Sequence, residues 1–135
     1  MIVMLLLTLW QAPASTVPMK TIEKGMDSQI DRGQQVAARS AEEWTRLWTL
    51  HAGERPRPPV DFAREIVVGV FLGSRPTGGF SIEVVGAREE GGALVVQYRE
   101  TRPPPRSVAA QILTSPYHIV TFLARPGTVK FEKIE

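Results

Sequence analysis

His51 and His118 are the only imidazoles in this 135-residue chain, and it contains no cysteine. Two separated histidines, with no thiolate, no H-E-x-x-H helix motif and no aspartate-rich calcium loop, do not compose a metal site, so neither metal nor cofactor is expected. The missing cysteine also removes disulfides, thiolate catalysis and a lipid-modified N-terminal cysteine. A hydrolytic triad would have to combine one of the two histidines with a serine and a carboxylate, yet no serine sits in a G-x-S-x-G elbow. Glu100 stands at the end of a predicted strand, just ahead of three prolines. It forms an acid–base pair with His118 only if their strands are neighbours. The alternative makes Glu100 a surface charge or the partner of an arginine, and His118 a strand-edge residue with one ring nitrogen hydrogen-bonded. No catalytic residue is assigned, and the expectation is a protein that is not an enzyme.

The segment Arg75-Pro76-Thr77-Gly78-Gly79-Phe80 offers binding chemistry instead. Pro76 fixes its own φ and restricts Arg75, while Gly78 and Gly79 reach positive φ without steric cost, so the chain can bend sharply and expose its amides. Exposed amides beside a hydroxyl and a guanidinium suit a carboxylate or a partner's main chain. Glu100, Tyr117 and His118 are expected near this loop and complete the candidate binding set. The segment is not a phosphate loop, because G-x-x-x-x-G-K-[ST] is absent and no helix follows. A purely structural reading, with the glycines serving only a turn between two strands, stays open.

The elements that would position these residues follow from periodicity. Ser40-Ala41-Glu42-Glu43 is a helix start with a capping-box spacing. Trp44, Leu47, Trp48 and His51 then fall on one helical face, and the helix should stop near Gly53 because Pro56, Pro58 and Pro59 cannot continue it. Residues 65–73 form a nearly continuous apolar run, as in a central strand covered on both faces. Residues 80–85 and 94–99 alternate and are joined by a turn at Glu89-Glu90-Gly91-Gly92. Residues 117–123 and 128–134 are read as a final strand pair joined through Arg125-Pro126-Gly127, and one or two short strands precede the helix, with turns at Gly25 and Asp31-Arg32-Gly33. The predicted class is α+β: a mainly antiparallel sheet of five to seven strands with one amphipathic helix packed on it.

Length fits one domain, and 43% hydrophobic with 22% charged residues rules out a disordered or fibrous chain. Formal charge is only +2, and the arginines are scattered from Arg32 to Arg125, so nucleic acid is not expected as a partner. Residues 2–10 are apolar and are followed by Gln11-Ala12-Pro13-Ala14, which reads as a signal peptide over 1–14 with a weak n-region, leaving 15–135 as a single domain. The run is too short to span a bilayer. Secretion, or a periplasmic or cell-envelope location, is therefore expected, without stable membrane insertion.

Several separated motifs occur together in order: Trp44-x-x-Leu47-Trp48-x-x-His51, Val60-Asp61-Phe62, Val70-Phe71-Leu72-Gly73-x-Arg75-Pro76-Thr77-Gly78-Gly79-Phe80, Glu100 with its prolines, and Thr114-x-Pro116-Tyr117-His118-Ile119-Val120. Over about residues 20–135 this pattern resembles the C-terminal domain of the protease complex subunit PrcB family. The resemblance implies an exported or surface-associated, non-enzymatic accessory domain, docking on or stabilising a secreted or surface protein such as a protease. Phe80 stands where tyrosine is commoner in that family, and the lipoprotein cysteine is missing, so membrane anchoring does not carry over. Residues 75–79 are also similar to the N-P-T-T-G loop of chagasin-type cysteine protease inhibitors, with Gly91-Gly92 and Arg102-Pro103 loosely matching that family's other two loops. This second resemblance implies a loop-mediated protease inhibitor, although a helix capped by Ser40 does not belong in its immunoglobulin-like sandwich.

Overall fold

The computed structural model describes residues 17–135; the signal-peptide segment expected over 1–14 lies outside them. Seven strands and one helix follow in the order β1 (Met19–Gly25), β2 (Gln34–Ala38), α1 (Ala41–Ala52), β3 (Glu65–Phe71), β4 (Ser81–Glu90), β5 (Ala93–Thr101), β6 (Tyr117–Leu123) and β7 (Thr128–Ile134). Among the described residues no helix is long and apolar enough to cross a membrane.

The α+β class holds, with one addition: the strands form two sheets. One has the order β1-β6-β3-β2 and is antiparallel throughout, and the other has the order β4-β5-β7. The β3 run explains the layering. Its alternate residues Ile66, Val68 and Val70 enter the core shared with the second sheet, while Val67 and Phe71 enter the core beneath the helix. The first sheet is therefore covered on both faces, as the unbroken apolar run required.

The expected pairing of the last two strands is not formed. Both edges of β6 are occupied, by β1 and β3, so no position beside it is open to β7. Residues 124–127 instead carry the chain to the second sheet, where β7 lies parallel to β5. The Arg39 guanidinium donates to the Arg125 and Gly127 carbonyls and holds this crossing. Gly127 has φ 98°, and a Cβ there would lie 2.0 Å from the Gly92 carbonyl oxygen. Only glycine fits that approach.

Helix α1 starts as its sequence demands. Ser40 is extended and its hydroxyl accepts the Glu43 N–H at 3.2 Å, a cap worth about 1 kcal/mol. Trp44, Leu47, Trp48 and His51 are buried, and Gly53 closes the helix with φ 63°. The proline-rich segment then wraps the helix, its carbonyls accepting both indole N–H groups: Trp44 Nε1 to Pro58 at 3.0 Å and Trp48 Nε1 to Arg55 at 2.8 Å.

Candidate functional site

Residues 75–80 form a turn between β3 and β4 that is braced by the connection between β5 and β6. Arg75 and Thr114 exchange main-chain bonds at 2.7 and 2.9 Å, and the Gly78 N–H donates to the Ala110 carbonyl at 2.9 Å. The Thr114 hydroxyl donates to the Thr77 carbonyl at 2.9 Å. Gly79 has φ 89°, and a Cβ there would lie 2.7 Å from Pro103. The exposed-amide cradle expected from the glycines is thus corrected at two positions: the Arg75 and Gly78 amides are spent inside the molecule, because the second loop packs down on the first. Pro76 and Gly79 remain exposed. The Arg75 guanidinium donates to the Ser74 carbonyl and lies 5.7 Å from the Phe80 ring centroid, a cation–π distance. The bracing loop carries Val108, Ile112 and Leu113 outward, with exposures of 103%, 59% and 79%.

Glu100, Tyr117 and His118 do not join that surface as a group. Glu100 pairs with Lys133 at 2.9 Å, a lysine where the sequence left a surface charge or an arginine partner open. Its strand β5 lies in the other sheet from β6, so the Glu100/His118 acid–base pair is not assembled. His118 is buried on a central strand, a correction to its expected place at a strand edge. Both ring nitrogens are engaged. Nδ1 accepts the Val84 N–H at 3.0 Å, so the proton resides on Nε2, which donates to the Thr21 hydroxyl at 2.9 Å. The ring therefore stitches the free edge of β4 to the first sheet. Burial, then nearby Lys24, lowers its pKa to about 4.

Tyr117 is also buried, and it belongs to a cluster that the sequence pattern did not reveal. A bulge between Thr21 and Glu23 places Glu23 opposite Ile119, so its side chain turns to the helix side of the sheet. Glu23 Oε1 there accepts from Tyr117 Oη at 2.5 Å, Arg55 at 2.7 Å and His51 Nε2 at 3.0 Å. Burial alone would raise the Glu23 pKa, but the bonds from Arg55, Tyr117 and His51 outweigh it and hold it at about 2. Burial lowers the His51 pKa despite the carboxylate, and burial with the bond to Glu23 raises that of Tyr117. With Glu23 ionised, Nε2 of neutral His51 carries the proton and Nδ1 accepts from the Ser28 hydroxyl at 2.8 Å. The Ser28 oxygen in turn accepts the Ile30 N–H at 3.1 Å.

Ser28, His51 and Glu23 have the residue types of a hydrolytic triad. Their roles on the ring are reversed relative to the serine protease arrangement, in which serine bonds Nε2 and the acid bonds Nδ1. Ser28 and His51 are 7% and 1% exposed, and the Tyr117, Trp48 and Phe71 rings enclose the imidazole, which gives the hydroxyl no open face for a substrate. The cluster pins β1 to the helix. Among the described residues no group of three or more histidine, aspartate and glutamate side chains is arranged to hold a metal ion.

The hairpin tip at Gly91-Gly92 and the Arg102-Pro103 segment lie at opposite ends of β5. At about 3.3 Å per residue, the strand separates them too far to form one three-loop edge of the chagasin kind.

Residues 66–122 match the family model described as PrcB C-terminal. Over that stretch the chain is similar to the PrcB C-terminal family. Comparison with curated proteins and with solved structures returns no match. The matched PrcB C-terminal segment runs through β3, β4, β5 and most of β6, and so contains the 75–80 turn, its bracing loop, Glu100, Tyr117 and His118. Glu23, Ser28 and His51 fall outside the match.

Proposed function

We propose that this domain is a non-catalytic accessory module that docks on a secreted or envelope protein, such as a protease, through the end formed by the 75–80 turn and its bracing loop. The observation that carries this reading is the outward display of Val108, Ile112 and Leu113 on a loop fastened to Arg75, Thr77 and Gly78 by main-chain and threonine bonds. Apolar side chains displayed together on a braced support are the raw material of an interface core. The match of residues 66–122 to the PrcB C-terminal family model supports association with a protease complex. Tyr117, His118 and Glu100 act behind this surface: the first two hold the seam and the helix contact, and Glu100 pairs with Lys133.

A photo-crosslinking amino acid at Val108 or Leu113 should capture one and the same protein from the source organism's envelope or secretome. The same probe at exposed Thr49 on the helix should capture none. Capture from Thr49 alone, or nothing from either loop position, removes the proposal. The inhibitor reading is favoured only by residues 75–79, and it requires stoichiometric loss of activity when the domain is titrated into a papain-like or serine protease. Flat titrations in both classes would dispose of it.

A further inference from the structure

We infer that the bracing loop and Arg75 together bind an extended segment of a partner protein in which carboxylates alternate with aliphatic side chains. This rests on the docking role proposed above and names the chemistry that the docking surface selects. The surface is built without acids. No aspartate or glutamate occurs between Glu100 and Glu132, or between Glu65 and Glu83, so both loops are free of negative charge. Arg75, Arg102 and Arg106 form no ion pair among the described residues. Asp27 and Asp31 sit on neighbouring turns, beside Ser115 and Ser74, and neither pairs with these arginines.

Arg106 supplies a second indication. Its φ is 67°, the only positive φ at a non-glycine residue among those described. Glycine would adopt that conformation freely, whereas a bulky side chain holds it at a cost, and such costs collect at binding sites. The main chain supplies a third. Among the described residues, the only main-chain group of residues 108–113 that is hydrogen-bonded is the Ala110 carbonyl. The remaining N–H and C=O groups are available to pair with an extended strand, and the exposed aliphatic side chains flank them. A lipid surface fits less well. Val108, Ile112 and Leu113 together present fewer aliphatic carbons than one myristoyl chain, which by itself binds membranes only marginally.

The test uses the whole described domain and fluorescent peptides of about 12 residues in extended alternation. A Leu/Asp peptide should bind, and raising the salt from about 20 to about 300 mM, which shortens the screening length about fourfold, should weaken it. Leu/Lys, Leu/Ser and Ser/Asp peptides should bind at least about tenfold more weakly, and so should the Leu/Asp peptide to the combined Arg75→Ala, Arg102→Ala, Arg106→Ala variant. Leu113→Asp should cost more than about tenfold. These are surface positions, and unchanged circular dichroism and melting temperature verify the fold. Equal binding of the Leu/Lys peptide overturns the inference, as does capture by phosphatidylglycerol vesicles with no peptide binding. If crosslinking from Leu113 finds a partner whose attached segment lacks acidic residues, the charge inference falls while the docking role stands. If neither crosslinks nor peptides bind, both fall.

Discussion

Replacing His118 by asparagine keeps an oxygen near the Nδ1 position, where it can still accept the Val84 N–H, but removes the titrating ring and the bond to Thr21. In the native protein the pKa of this ring is depressed, by burial first, from the ordinary 6.5 to about 4. The unfolded chain therefore takes up the proton first, so the stabilisation is complete above pH 6.5 and is lost as pH falls towards 4. Protonation would place a second N–H against the Val84 N–H, which has no acceptor to offer. With the ring lowered from 6.5 to about 4, linkage gives a loss of about 2 kcal/mol by pH 5 and about 3 kcal/mol by pH 4. Urea unfolding at pH 7.5, 6 and 5, followed by tryptophan fluorescence, reads this directly. His118→Asn should begin about 1–3 kcal/mol less stable at pH 7.5, from the lost bond and the smaller side chain. It should then lose about 2 kcal/mol less than wild type between pH 7.5 and pH 5. His51 titrates with the same sign in both proteins and cancels in the difference. Equal slopes for the two proteins would refute the argument that this ring joins the sheets in its neutral form.

Glu23→Gln should cost about 2–3 kcal/mol at neutral pH, because one amide oxygen cannot replace a carboxylate that accepts from Arg55, Tyr117 and His51. The depressed Glu23 pKa makes its stabilisation present above 4.5 and lost as pH falls towards about 2, so the two proteins should converge in acid; parallel acid-unfolding curves would contradict this. Gly127→Ala meets the Gly92 carbonyl and a positive φ together, and a loss of at least about 3 kcal/mol in urea melts is expected; a loss under about 1 kcal/mol would mean the crossing is not tight. Ser40→Ala should lower stability by about 1 kcal/mol with no change in peptide binding, as measured by melts and anisotropy on one preparation.

The helix, its cap and its buried face were readable because each depends on residues within four positions of one another, from Ser40 and Glu43 to Trp48 and His51. The β4–β5 hairpin was readable for the same reason, with Gly91 and Gly92 supplying both positive φ values of its turn. The division into two sheets was not, since strand alternation gives the faces of β6 and β7 but not which neighbours already fill their edges. The Glu23 cluster was hidden by the bulge beside Ile22: plain alternation puts Glu23 on the face away from His51, and one extra residue reverses it. For the 75–80 turn, the glycines announced a sharp bend, but the partners of its amides lie more than 30 positions away, at Ala110 and Thr114, where no local signal marks them.

The strand order also has a consequence in time. β1 lies beside β6, and the Thr21 bond to His118 spans 97 positions of sequence. A growing chain therefore holds its first strand without a neighbour until nearly the whole domain has emerged. β3 waits for the same partner, since β6 separates it from β1. Closure of such distant pairings is slow, and the chain stays open to other partners while it waits. Any fragment that stops before Tyr117 lacks the strand on which both halves of the first sheet depend.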